Sequence, residues 1–176
     1  MSGAEFASER GLAVGGGWLS VMRRYLLFVA VANLVWEILH LPLYTIWRDG
    51  SVGELAFAVV HCTGGDILIA LSSLMLVLVL VGSGSWPGRR YVGIAVLTIA
   101  LGLAYTIFSE WLNIVVRESW AYSELMPVIP LTGTGLSPVA QWIVVPTVGF
   151  WWAYRSETMI IHAPGSHVPL RSKHHV

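Results

Sequence analysis

The chain reads as an all-α integral membrane protein, a bundle of four transmembrane helices with both termini in the cytoplasm. Three observations predict this. Of its 176 residues 56% are hydrophobic and only 11% charged, whereas a soluble domain carries about 25% charged residues. Nine tryptophans accompany a mean hydropathy of +0.71, and Trp concentrates where the bilayer meets water. Four apolar stretches are each of a length to cross a hydrocarbon core of about 30 Å at 1.5 Å per residue.

Residues 1–24 form a cytoplasmic segment that ends in Arg23-Arg24. The first helix is expected over 25–41. It is read as retained rather than cleaved like a signal peptide, because Glu37 and His40 interrupt it and no small-residue cleavage site follows. Pro42 and the Arg48-Asp49-Gly50 turn close it. The second helix is expected over 55–81 and the third over 91–116, separated by a segment of Gly, Ser and Pro. The fourth is expected over 138–154, where Ser137 is suited to cap it and Pro138 to open its first turn. Residues 155–176 form a cytoplasmic tail with His162, His167, His174 and His175, expected to be disordered.

Lys and Arg set the orientation. Eight of the ten fall before the first helix, between the second and third, or after the fourth, leaving Arg48 and Arg117 on the other side. The positive-inside rule then puts both termini in the cytoplasm. The segment from Arg117 to Ser137 faces outward, and its Pro, Gly and aromatic content suits a partial cover over the bundle. Ten acidic residues balance ten basic ones, so no basic field exists to hold a nucleic acid. The single Cys62 excludes an intrachain disulfide.

This topology brings the buried polar residues to one depth. Glu37 and His40 fall near the end of the first helix, and His61 and Asp66 near the start of the second. Glu110 and Asn113 fall near the end of the third, and Gln141 near the start of the fourth. The opposite ends, such as Leu74 to Val81 and Tyr91 to Leu97, carry no Asp, Glu, His, Lys or Arg. Asn33, Glu37, His40 and Tyr44 form one stripe at helical spacing, and Thr106, Glu110, Asn113 and Arg117 another. His61 and Asp66 lie about 140° apart around their helix, so they flank a cavity rather than point alike. Gly64 and Gly65 between them suit the close approach of a helix or ligand. Pro146 interrupts the fourth helix one turn beyond Gln141 and Trp142.

Glu37, Asp66 and Glu110 have no Lys or Arg within their apolar stretches. Such acids must be protonated, paired with protonated His, or neutralised by a cation. His40 or His61 alone is as readily a packing residue, and Asn113 and Gln141 serve equally as interhelical hydrogen-bond partners. Three uses follow. The first is a membrane-embedded enzyme or binding protein for a lipid or isoprenoid-like molecule taken from the bilayer. Glu37, His61, Asp66 and Glu110 would supply acid-base chemistry, with Trp36, Tyr44, Tyr105, Trp111, Asn113, Gln141 and Trp142 around the ligand. The second is one divalent transition metal ion (Zn, Cu or Fe) on Glu37, His40, His61 and Glu110, since Glu37-x-x-His40 has the spacing of carboxylate-bridged bundles. Those bundles need two such pairs and two further Glu, and this chain has one pair. The third is cation or proton transport, or an accessory role in a larger complex, for which so short a chain would pair with other copies or subunits. Trp36, Trp47, Trp111, Trp120 and Trp142 are expected to form an outer aromatic belt, one or two lining the cavity.

The stretch Tyr105 to Asn113, then Trp120 to Pro127 and Gly135 to Trp142, resembles a group of small bacterial inner-membrane proteins of unassigned function. The resemblance covers the C-terminal half and implies a multi-pass protein of the bacterial inner membrane. Glu37 followed by Leu41-Pro42 is similar to the sterol-isomerase and sigma-2 receptor superfamily. That likeness implies a small helical bundle with acids in a lipid-accessible cavity.

Overall fold

The computed structural model describes residues 3–82 and 86–161, with side chains over 17–82 and 86–156. The first helix, α1, runs Gly3–His40, so residues 3–24 continue the first span as helix instead of preceding it. A 3-10 turn, Leu41–Leu43, and a four-residue helix, α2, Ile46–Asp49, follow. Helix α3 runs Val52–Val81 and α4 Tyr91–Trp111, the latter prolonged by a π-helical turn, Leu112–Val116. Helix α5 runs Leu136–Ile161 and contains Pro146. The histidines of the tail lie outside the described residues.

Three of these helices, over Gly17–Leu43, Val52–Val81 and Tyr91–Val116, are long and apolar enough to cross a membrane. Helix α5 packs with them, and neighbours meet in the cyclic order α1, α3, α4, α5 and back to α1.

A local signal accounts for the earlier start of the second span. Helix α3 starts three residues before Leu55 because Ser51 and Glu54 form a reciprocal capping box, Ser51 Oγ accepting from Glu54 N and the Glu54 carboxylate from Ser51 N. The pattern Ser-x-x-Glu was present in the sequence and marks such a start. As a result Asp66 falls at the middle of the 30-residue α3, so the polar layer reaches deeper than the end of the bundle.

The segment 118–135 begins at Glu118, whose φ of 52° reverses the chain. It folds back onto the α1–α3 connection. Thr45 N donates to Ala121 O at 3.0 Å, Ser123 N to Leu43 O at 2.8 Å, and Ser123 Oγ to Pro42 O at 3.0 Å. It therefore covers one end of the bundle, as its composition suggested.

Candidate functional site

A cavity of about 870 Å³ opens at the covered end, between α1, α3, α4 and the first turns of α5. Its walls on α3 run from Glu54 to Leu76, about 33 Å of helix at 1.5 Å per residue. Phe57, Leu68 and Leu76 of α3 and Leu101 and Tyr105 of α4 line it while remaining exposed on the outside of the bundle. The cavity therefore opens sideways between α3 and α4. Its lower end is apolar, its middle carries the acids, and Asn113, Arg117 and Ser119 line its mouth.

Gln141 is the hub of the inner network. Its Nε2 reaches Glu37 Oε1 at 2.9 Å, Asp66 Oδ2 at 3.0 Å and Asn33 Oδ1 at 3.1 Å. An amide nitrogen has two N–H bonds, one fewer than these acceptors. Glu37 and Asp66, from different helices, thus converge on one side-chain amide. Trp142 Nε1 donates to Asp66 Oδ1 at 3.2 Å. The indole is seated in a notch at Gly102, where an added Cβ would stand 2.2 Å from the Trp142 ring. Glycine is required there because the two helices meet through that ring.

A relay leads from this hub toward the covered end. His40 Nε2 lies 2.9 Å from Glu37 Oε2, and its Nδ1 lies 3.0 Å from Ser137 Oγ. Trp36 Nε1 donates to the same Ser137 oxygen at 3.1 Å. Ser137 can then pass its own proton to Nδ1, which assigns neutral His40 the tautomer that donates from Nε2 to Glu37.

Glu110 sits apart from the hub on the opposite wall. Tyr122 Oη donates to Glu110 Oε2 at 2.5 Å and accepts from Gly135 N at 2.8 Å. Burial, with Glu110 beside them, raises the phenols of both Tyr44 and Tyr122 above their ordinary value. Both stay neutral, and Tyr122 donates. Tyr44 and Tyr122 face one another at 5.5 Å, and His40 meets the Tyr44 ring edge-on at 5.3 Å.

The structure thus brings Glu37, His40, Tyr44, Asp66, Glu110, Asn113, Gln141 and Trp142 to one cavity. The stripe Thr106, Glu110, Asn113 and Arg117 lines it in full, and Asn33 supports it from behind through Gln141. Tyr105 stands at the side opening, half exposed.

Other residues named from the sequence take varied places around this cavity. His61 lines the rim but is exposed and stacks on Phe57 at 5.3 Å, because its turn of α3 faces away from Asp66. Trp36 is outside the cavity wall and bonded to Ser137. Trp111 is outside it as well, 46% exposed and 6.1 Å from Phe108. Each follows a cavity-lining position, or precedes one, by a single residue, a turn of about 100° around the helix. Gly64 and Gly65 admit no close helix, since a Cβ at either meets nothing within 4 Å. Gly65 instead borders the cavity. Of the tryptophans placed in the belt, Trp120 and Trp142 line the cavity, matching the one or two expected there, and Trp142 is also buried.

The metal reading gains nothing from this geometry. Among the described residues no group of three or more His, Cys, Asp or Glu side chains is arranged to hold an ion. Glu37 and His40 spend their facing atoms on each other, and His61 stands at the rim. The residues missed by sequence reasoning are Tyr122 and Ser137 as site members. Ser137 was legible only as a helix start, and Tyr122 reaches Glu110 solely through the fold of its loop.

Comparison with family models, with curated proteins and with solved structures gives no match.

Proposed function

We propose that this chain is a four-span protein of the bacterial inner membrane, termini in the cytoplasm, that takes an elongated lipid or isoprenoid-like molecule from the bilayer and acts on it by acid-base chemistry. Helix α5 is the fourth span in this reading. The supporting observation is that carboxyl groups from three helices line one cavity whose opening lies on the side of the bundle, where acyl chains would surround it. Glu110, on one wall, is the proposed proton donor to the bound molecule. The Glu37–Asp66 pair, on the other wall, accepts a proton and exchanges it through His40 and Ser137. A fixed acid and a fixed base across a water-poor space can add a proton at one atom of a substrate and remove one at another.

The test is extraction of lipid from protein purified in native membrane patches, followed by mass spectrometry. One lipid species enriched over the bulk membrane is expected. Gly65→Trp, which projects an indole into the cavity, is expected to remove it while leaving the protein folded. Bulk lipid ratios in both proteins would overturn the reading. Stoichiometric recovery of another membrane subunit, without enriched lipid, would favour an accessory role.

A further inference from the structure

We infer that the molecule held here is an amphiphile with an oxyanion head, a phosphate or a carboxylate, gripped by Arg117 at the cavity mouth while its chain runs inward past Glu110 toward Leu76. This rests on the lipid-cavity reading above and adds the chemical class and orientation of the ligand.

The inner acids are already served. Glu37 is held by His40 and Gln141, Asp66 by Trp142 and Gln141, and Glu110 by Tyr122. A cationic head would have to displace these donors. Glu54, the acid at the α3 side of the mouth, accepts from Ser51 N at 2.7 Å and Ser51 Oγ at 2.8 Å. Arg117 differs from all of them. It lines the cavity, it is exposed, and among the described residues it makes no ion pair. Among the described residues it is also the only Lys or Arg in the cavity wall.

Depth gives the orientation. The contact of Trp142 with Gly102 and Asp66 sets those two residues level. The helical path from Gly102 to Arg117 then rises about 22 Å, with Glu110 about 10 Å below Arg117. An anion is repelled by the acid layer and drawn to the guanidinium, whose planar fork matches a carboxylate or phosphate. The apolar chain takes the lower wall of Leu68, Ile69, Leu76 and Leu101. Glu110 then meets the chain about 10 Å below the head.

Cys62, the sole cysteine, lines the cavity, so its rate of maleimide modification reports occupancy. The full chain in nonionic detergent is titrated with an alkyl phosphate, a fatty acid, a fatty alcohol and an alkylamine of one chain length, and with inorganic phosphate. The phosphate or carboxylate amphiphile is expected to protect Cys62 at a concentration at least about tenfold below that of the alcohol. Which anion is tighter separates a phospholipid-like from a fatty-acid-like ligand. Arg117→Gln is expected to erase the tenfold preference and to leave protection by the alcohol unchanged. Preference for the amine, protection by inorganic phosphate at equally low concentration, or an unaltered preference in Arg117→Gln would overturn the inference. Should that variant lose protection by the alcohol too, Arg117→Lys decides: retained preference for the anion supports the inference and lost preference overturns it. Absence of protection by every amphiphile in the unaltered protein would instead overturn the cavity reading itself.

Discussion

The two ends of this bundle solve opposite problems with the same helices. Around Glu37, Asp66 and Glu110 the helices stand apart and spend their inward side chains on hydrogen bonds beside open space. At the other end they close on one another through rings and aliphatic groups. Tyr25 stacks on Phe150 at 4.1 Å, Tyr91 meets Phe150 edge-on at 6.0 Å, and Tyr91 Oη donates to Phe150 O at 2.6 Å. Val21, Leu74, Ile94 and Ala153 complete a core with side chains almost wholly buried. Gly149 admits this packing, since a Cβ there would stand 3.1 Å from Phe28 and 3.2 Å from Tyr25. The comparison teaches a division of labour. Close packing at one end holds the helices rigidly enough that the other end can keep unlike polar groups in register around a cavity.

Substitutions should separate the two ends by size and kind of effect. The largest is expected at the packed end. Leu74→Ala removes most of a fully buried side chain and should cost about 2–5 kcal/mol, measured by denaturant titration in detergent. The maleimide rate at Cys62 should stay unchanged under native conditions. An altered rate at modest destabilisation would mean that the ends are not separable.

A middle effect is expected at the junction. Gly102→Leu forces the Trp142 indole out of its notch and breaks its bond to Asp66, at about 1–3 kcal/mol. Here the Cys62 rate should change together with stability, and Trp142→Phe in the same chain should recover part of the loss. Additive losses in the double variant would show that the notch does not act through Trp142.

The smallest effect is expected at the cover. Tyr122→Phe removes the hydroxyl between Glu110 and Gly135 and should cost about 1 kcal/mol, with faster hydrogen exchange at the Gly135 amide. The pH dependence has a definite sign. The Tyr122 phenol titrates higher in the folded chain than in the unfolded chain, so its contribution is complete below about pH 10 and declines as pH rises from there toward the folded value. The cover of the unaltered chain should loosen above that pH, by exchange at Gly135, and that part of the pH dependence should be missing from Tyr122→Phe.

The long apolar stretches, the stripe from Thr106 to Arg117 and the lack of basic partners for the buried acids were legible in the sequence. Each depends on composition or helical period, which every stretch of chain carries within itself. The start of α3 was legible too, in Ser51 and Glu54. Only the tertiary structure decided that Gln141 joins Glu37 to Asp66, that Ser137 serves Trp36 and His40, and that Tyr122 folds down onto Glu110. It also turned His61 to the rim and left Gly65 facing open space. Such contacts join residues far apart in the chain, and their geometry depends on how four helices rotate and splay against one another, a choice made by packing rather than by any local pattern.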